Sequence, residues 1–173
     1  YDAAAERIRL TALEVQSRTL RLAARGHVDV PGVTLAPPEA FVAQIALDQL
    51  MVDPEGLFTE PVTFHQGALD LRLRLNPFRL DVGQFTLQEE GRRIQMAGHA
   101  EVGPAGWSLA ADIALNAIAH DRLLALWPVS AVPKTRDWLV ENVYEGLLED
   151  VKVALRLEQG GEPRFALGYD FRE

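Results

Sequence analysis

Apolar and polar residues alternate along most of the chain with a period of two, which is typical of strands that bury one face. In the clearest stretch, from residue 69 to residue 75, four leucines alternate with charged residues. Successive side chains of a strand point to opposite faces of a sheet. The leucines therefore predict an apolar face, and the residues between them predict a polar face: Asp70, Arg72 and Arg74.

The same alternation recurs before and after this stretch. Further apolar rows begin at Ile8, Leu20, Phe78, Ile94, Trp107, Val151 and Phe165. Gly83 shifts the phase of one row, and a glycine at a phase change indicates a β-bulge or a bend. The segment from Phe41 to Leu47 is predicted to be another strand, although its composition also permits a helix.

Short turns separate several of these rows. Asn76-Pro77 and the run from Gly103 to Gly106 are turn signals. Such short connections imply hairpins, and hence an antiparallel meander. The predicted fold is mainly β: a curved, twisted antiparallel sheet of repeated hairpins, shaped like a groove. Its apolar face would be covered by folding over or by an added element.

One segment breaks the alternation. Residues 119–127 and 134–144 read as two short helices, so that a helical insert spans about 119–145. Pro128 would end the first helix, and Pro133 stands near the start of the second, where proline is tolerated. Gly146 is predicted to cap the second helix. Residues 1–173 would form a single segment around this insert.

The chain contains a faint internal repeat. If the sequence from Arg7 onward is aligned without gaps to the sequence from Arg79 onward, six aligned pairs are identical. Apolar positions of the first copy also align with apolar positions of the second. The matches are Arg7 with Arg79, Gln16 with Gln88, Arg21 with Arg93, Gly26 with Gly98, His27 with His99 and Val30 with Val102. Recurrence of this kind predicts a repeated two-strand unit, from which extended β-structures are built.

Composition narrows the possible partners. Of the 173 residues, 48% are hydrophobic and 24% are charged, which is a globular balance, and the formal net charge is −8. An acidic surface without a basic block argues against binding to nucleic acid. The absence of cysteine excludes disulfides, thiolate nucleophiles and Cys-based metal sites. No apolar run approaches the length of about 18 residues that a membrane-spanning helix needs.

The sequence lacks the motifs of common catalytic and metal sites. Its histidines do not have metal-ligand spacing; they are His27, His65, His99 and His120. Its serines do not lie in a nucleophile elbow; they are Ser17, Ser108 and Ser130. A phosphate-binding loop and a dinucleotide fingerprint are also absent. We therefore expect a protein that is not an enzyme and that uses no cofactor and no metal.

Two further groups of residues have structural interpretations. Glu89 and Glu90 precede a glycine, which indicates a hairpin turn with solvated charges rather than an acid/base pair. Tryptophans could line a ligand site, but large aromatic residues more often anchor packing. We therefore expect Trp107, Trp127 and Trp138 to be packing anchors, with the last two joining the helices to the sheet.

The helical segment carries a resemblance to a known family. Residues 121–128 read Asp-Arg-Leu-Leu-Ala-Leu-Trp-Pro, and residues 136–142 read Arg-Asp-Trp-Leu-Val-Glu-Asn, before Gly146 and a strand. Paired alternating strands and a lead-in from Leu57 to Val62 precede them. This order resembles the AsmA-like superfamily, and within it the YhdP-type domain of large bacterial envelope proteins. The resemblance is close from about residue 57 to residue 157.

The resemblance implies a location and a cargo. Members of this family are long chains with an inner-membrane helix and an extended periplasmic β-groove, which carries phospholipid acyl chains toward the outer membrane. The implied partners are a phospholipid or another acyl-chain lipid, other segments of the same long chain, and a membrane reached through an anchor outside this sequence. The sequence begins at Tyr1 and stops inside the alternating stretch from Phe165 to Phe171, so we expect it to be a piece of a longer chain.

The family supplies no single-residue binding motif, so the groove residues come from the alternation alone. They are Leu69, Leu71, Leu73, Leu75, Leu80, Val82, Ile94, Met96, Leu109, Ile113, Val153 and Leu155. An alternative stays open, because the same alternation suits a structural or protein-interaction module of the envelope. In that module the apolar face would pack dry against the chain's own helices.

Overall fold

The computed structural model describes residues 1–32, 38–89, 91–127, 129 and 132–172, without the side chains of the last two of these residues. The fold is mainly β, as the sequence predicts: one curved, open antiparallel sheet of ten strands with two helices inserted between strands. Glu90, Pro128 and Ser130, which entered the sequence predictions, lie outside the described residues.

The elements follow one another in a regular order. The strands are β1 (Arg7–Gln16), β2 (Leu20–Asp29), β3 (Ala40–Val52), β4 (Val62–Phe64), β5 (Gln66–Leu75), β6 (Phe78–Glu89), β7 (Arg92–Gly103), β8 (Gly106–Ala119), β9 (Leu147–Leu157) and β10 (Arg164–Arg172). The helices are α1 (His120–Leu126) and α2 (Pro133–Asn142), which lie between β8 and β9. The predicted insert at about 119–145 therefore contains both helices.

Each strand pairs with its neighbours along the chain, in the order β1-β2-β3-β5-β6-β7-β8-β9-β10. The short β4 pairs with the end of β3, next to β5. This arrangement confirms the predicted meander. The segment from Phe41 to Leu47 lies within β3 and pairs with both β2 and β5, so the helical alternative for it is wrong.

Gly83 forms the predicted bulge. Gln84 pairs with Asp70 and Val82 pairs with Leu71, so that the glycine between them has no partner position on β5. The pairing of β6 with β7 shifts at the same place, between Val82 and Phe85. The extra residue changes the phase of the strand and keeps the apolar side chains on one face.

The two hairpins that the internal repeat predicts have the same pairing register. Arg7 lies opposite Asp29 in the first hairpin, and Arg79 lies opposite Glu101 in the second. The register is the same in both hairpins, because the repeat aligns Arg7 with Arg79 and Asp29 with Glu101. The structure therefore confirms a repeated two-strand unit, formed by β1–β2 and by β6–β7.

The bulge is repeated as well. Pairing shifts between Leu10 and Leu13 in the first unit, and between Val82 and Phe85 at the equivalent place in the second. In both units a glycine lies opposite the residue that precedes the shift. The repeat thus includes an irregularity of the backbone, which apolar alternation alone would not require.

Steric contact explains the glycine in each unit. A Cβ added to Gly26 would overlap the carbonyl oxygen of Gln44 and lie 2.9 Å from the Cα of Ile45. A Cβ added to Gly98 would overlap the carbonyl oxygen of Ala110 in the same way. Backbone atoms of the next strand cannot move aside as a flexible side chain can. Only glycine fits at these two positions.

The helices differ in detail from the sequence predictions. Pro133 is the first residue of α2, as predicted. The helix ends at Asn142, and the cap residue is Val143, whose N–H donates to the carbonyl oxygen of Leu139 at 2.9 Å. Gly146 lies beyond this cap, so its predicted role as the helix cap is wrong. The backbone leaves the helix at Val143 because that residue adopts an extended conformation.

Two apolar clusters lie at the helix-bearing end of the sheet. The first consists of Ala24, Leu47, Val62, Phe64 and Leu87, and the second of Ile118, Leu148 and Val151. Leu126 of α1 packs against both clusters. The helix therefore lies on the apolar face and bridges two separate buried regions.

The tryptophans do not share one role. Trp127 is buried, as expected of a packing anchor. Trp138 is 57% exposed and Trp107 is 56% exposed, so the structure buries neither of these two predicted packing anchors. α2 has no buried residue at all, which leaves Trp138 at the surface. Trp107 instead packs edge-on against Phe78, with ring centroids 5.6 Å apart.

We expect Gly98→Ala to destabilise the sheet by roughly 2 kcal/mol or more, because the new methyl group would overlap backbone that cannot shift. The measurement is the midpoint of urea unfolding. Gly168→Ala is the matched control, since a Cβ there meets no atom within 4 Å. Equal midpoints for the two variants would contradict the steric explanation.

Candidate functional site

The candidate site is the apolar face of the sheet. Pairing places its residues in rows that cross several strands, because directly opposed residues lie on the same face. One row runs from Leu69 through Phe85, Met96 and Ile113 to Val153. These residues come from five successive strands, and no polar residue interrupts them.

Two further rows lie parallel to the first. One joins Leu71, Val82, Gly98, Ala111 and Leu155. The other joins Leu73, Leu80, Ala100, Leu109 and Leu157. Together with Leu75 at one end and Ile94 at the other, these rows place all twelve predicted groove residues on one face.

The predicted groove residues are not sealed in a core. Eleven of the twelve are half-buried, and Leu75 is 57% exposed. Only Ile94 and Val153 pack against the buried clusters. The middle of the apolar face is therefore covered only in part, and a strip of aliphatic side chains stays accessible to water.

The face is wider than the predicted set. Residues of β3 extend the rows, because Phe41 lies opposite Leu73 and Ile45 lies opposite Leu69. Alternation within β3 indicates that Phe41 and Ile45 share this face, but the predicted groove set does not include them, because the sequence permits either a strand or a helix in that segment. Phe85 of β6 also belongs to the face.

The far end of the face is open and carries large apolar side chains. At the ends of the strands away from the helices, Leu75, Val102, Trp107 and Phe165 are all exposed. Trp107 packs on Phe78, so that this rim includes an ordered aromatic pair. The apolar face thus has one end covered by helices and one end open to solvent.

The opposite face, which we call the outer face, carries ion pairs between strands. Arg7 Nε lies 2.5 Å from Asp29 Oδ1, and Arg79 Nη1 lies 2.7 Å from Glu101 Oε2. These two pairs occupy equivalent places in the repeated units. Since their side chains are partly exposed, they contribute little stability individually.

Hydrogen bonding shifts the ionisation of these groups. The hydrogen bond from Arg7 holds the pKa of Asp29 below its ordinary value, while desolvation opposes the shift. Hydrogen bonds to Asp81 and Glu101 raise the pKa of Arg79. Arg7, Asp29 and Arg79 of the outer face therefore stay charged at neutral pH.

A third ion pair joins α1 to the sheet. Arg122 of α1 donates two hydrogen bonds to Glu89 of β6, at 2.5 and 3.1 Å, and a longer one of 3.5 Å to Glu60. The Glu89 side chain is only 17% exposed, so its interpretation as a solvated turn charge is wrong. No local sequence signal links these residues, because Glu89 and Arg122 are far apart in the chain.

Metal ligands and membrane-spanning helices are the other features that could define a site. Across the described ranges, no group of three His, Cys, Asp or Glu side chains is placed to hold a metal ion. In the part of the chain that the structure describes, no helix is long and apolar enough to cross a membrane.

The fold and the site together define a class: an open antiparallel β-sheet protein with one apolar face that helices cover at one end. Comparison with known proteins found no family model, no curated protein and no solved structure that matches the chain. The function is therefore inferred from the geometry of the site and from the sequence resemblance.

We expect Arg7→Gln to raise the pKa of Asp29 toward its ordinary value, because the variant loses the charged donor. The pKa can be measured by NMR titration of the carboxyl carbon, with Arg79→Gln as the matched control in the second unit. An Asp29 pKa that is unchanged by Arg7→Gln would contradict the assignment.

The same pair predicts a pH dependence. A carboxyl group with a lowered pKa in the folded state stabilises the fold above its unfolded pKa, and this contribution is lost as the pH falls through the folded pKa. The difference in unfolding free energy between the wild type and Arg7→Gln should therefore shrink in acid.

Proposed function

We propose that this chain is a non-catalytic segment of a periplasmic lipid-transport protein, in which the apolar face of the sheet shields phospholipid acyl chains between the inner and outer membranes. The observation that carries the proposal is the continuous aliphatic strip across at least five strands, which its own helices leave partly bare. The resemblance to YhdP-type domains of the AsmA-like superfamily supports the same conclusion.

The chemistry of the face suits an acyl chain. The three central rows consist mostly of leucine, valine, isoleucine and methionine, with two alanines, one phenylalanine and one glycine, and they contain no charged residue. Removing a CH₂ group from water is worth about 0.8 kcal/mol. An acyl segment of about ten such groups would gain roughly 8 kcal/mol before the entropy of ordering it is subtracted.

The bare strip also suits transfer rather than storage. A ligand on an open face can slide along the strip, because neighbouring rows present the same aliphatic surface. The strip runs across the strands, from β5 to β9, so further strands at either edge would lengthen it. Besides lipid, we propose two kinds of partner: other segments of the same long chain, which would add such strands, and a membrane reached through an anchor in that chain.

A second function has one observation in its favour. The two buried clusters under α1 are packed as in an ordinary domain core. If the rest of the face were closed in the same way by a partner protein, the chain would be a structural or interaction module of the envelope. The two functions differ in what touches the middle of the strip.

Site-specific photo-crosslinking separates the two functions. A benzoylphenylalanine at Leu71, Leu73 or Ile113, in purified protein incubated with phosphatidylethanolamine vesicles, should form lipid adducts that mass spectrometry detects. The matched control is the same group at Arg72, which is the neighbour of Leu71 on the outer face and should form none.

Two results would contradict the proposal. One is the absence of lipid adducts at all three inner positions in folded protein. The other is an adduct yield at Arg72 equal to that at Leu71, since nonspecific contact with vesicles would explain it.

A further inference from the structure

We propose that α1 is a movable lid over the apolar face and that the ion pair between Arg122 and Glu89 is its latch. Opening the lid would add the surface beneath it to the aliphatic strip. The role of the lid in lipid binding rests on the proposed function, but the ion pair that closes the lid can be tested without lipid.

The helix is weakly held by its own structure. It has seven residues, and its N-cap residue, Ala119, has no side chain that could make a capping hydrogen bond. Among the side chains of its first turn, Asp121 accepts through Oδ1 from a backbone N–H, that of Arg122 at 2.7 Å. An isolated helix of this length is not stable in water, so that tertiary contacts must hold α1 in place. Among its seven residues only Ala125 is buried.

The contacts that hold α1 are few and of two kinds. Leu123 packs on the cluster around Ile118, and Leu126 packs on that cluster and on the one around Leu47. Its polar contacts are the backbone N–H of His120, which donates to the carbonyl oxygen of Gly146 at 3.1 Å, and Arg122, whose guanidinium binds Glu89 with two hydrogen bonds and reaches Glu60 beyond it. The ion pair therefore joins α1, which follows β8, to the last residue of β6, which lies far from α1 along the chain.

The latch is less exposed to water than the ion pairs of the outer face. The side chains of Arg122 and Glu89 are 18% and 17% exposed, whereas those of Arg25 and Asp48 are 63% and 45% exposed. Hydrogen bonds between charged groups are stronger when water is partly excluded. A single such contact can thus control whether a marginal helix stays docked.

The surface beneath the lid continues the strip. Ile94 packs against the first cluster and lies two residues before Met96 on β7, and Val151 of the second cluster lies two residues before Val153 on β9. Residues two apart on a strand share a face. Lifting α1 would therefore extend the aliphatic strip toward the helix-bearing end.

The packing around the helices leaves room for movement. A cavity of about 300 Å³ lies between α1, α2 and the strands β9 and β10, and Leu124, Leu139 and Tyr169 are among its lining residues. α2 has no buried residue, so it does not anchor α1 to the sheet. A loosely packed helical pair can be displaced at lower cost than a core element.

The test measures the position of α1 directly. The chain has no cysteine, so spin labels can be attached at Asp121→Cys on α1 and at Gln66→Cys on β5, both exposed positions. Pulsed electron resonance then gives the distribution of distances between them. In the otherwise unchanged protein we expect one short distance, and with oleate a second, longer distance.

Latch variants give the result that decides the proposal. Arg122→Ala should increase the long-distance fraction by about tenfold without oleate, because two charged hydrogen bonds are lost. Glu89→Gln should act in the same direction, and it provides a second variant if the first fails to fold. Arg25→Ala is the matched control, since it removes an outer-face ion pair and should leave the distances unchanged.

The outcomes distinguish this inference from the proposed function. An unchanged distance distribution in a folded latch variant would overturn the lid, whatever happens with lipid. If benzoylphenylalanine at Ile113 forms an adduct with oleate but oleate leaves the distances between the spin labels unchanged, the lid is overturned and the lipid proposal stands. If lipid does not bind at all but the latch variants release α1, the mobile lid is supported and the proposed function fails.

Discussion

The strict two-residue period of a β-strand is the constraint on which this structure depends. Because successive side chains point to opposite faces, a sequence that alternates leucine with arginine or aspartate must produce one apolar and one charged face. A residue inserted without correction would invert that division for the rest of the strand. The bulge at Gly83 is such a correction, since it absorbs one residue and returns Phe85 to the face that holds Val82.

The same constraint explains why so much of the fold could be predicted from the sequence. Alternation is a local property, and the turns at Asn76-Pro77 and at Gly103–Gly106 are local as well. Pairing between sequential strands then follows from their short connections. That the twelve proposed groove residues share one face could be predicted for the same reason, because strand phase alone assigns a side chain to a face.

Other features could not be predicted because they depend on contacts between distant parts of the chain. The burial of Glu89 is determined by Arg122, and nothing near either residue in the sequence indicates the other. The exposure of Trp138 follows from the shallow docking of α2, which a helical pattern does not reveal. The cap of that helix was assigned to Gly146 by residue type, whereas the backbone turns away earlier, at Val143.

The repeated hairpin has a consequence for how such a sheet can change in size. Each copy contains its own bulge, its own glycine against the neighbouring backbone and its own cross-strand ion pair, so each sets its strand phase without reference to the other. Duplication of the unit therefore adds strands side by side and leaves strand length unaltered. The number of strands in the sheet and the length of each strand can therefore change independently during evolution.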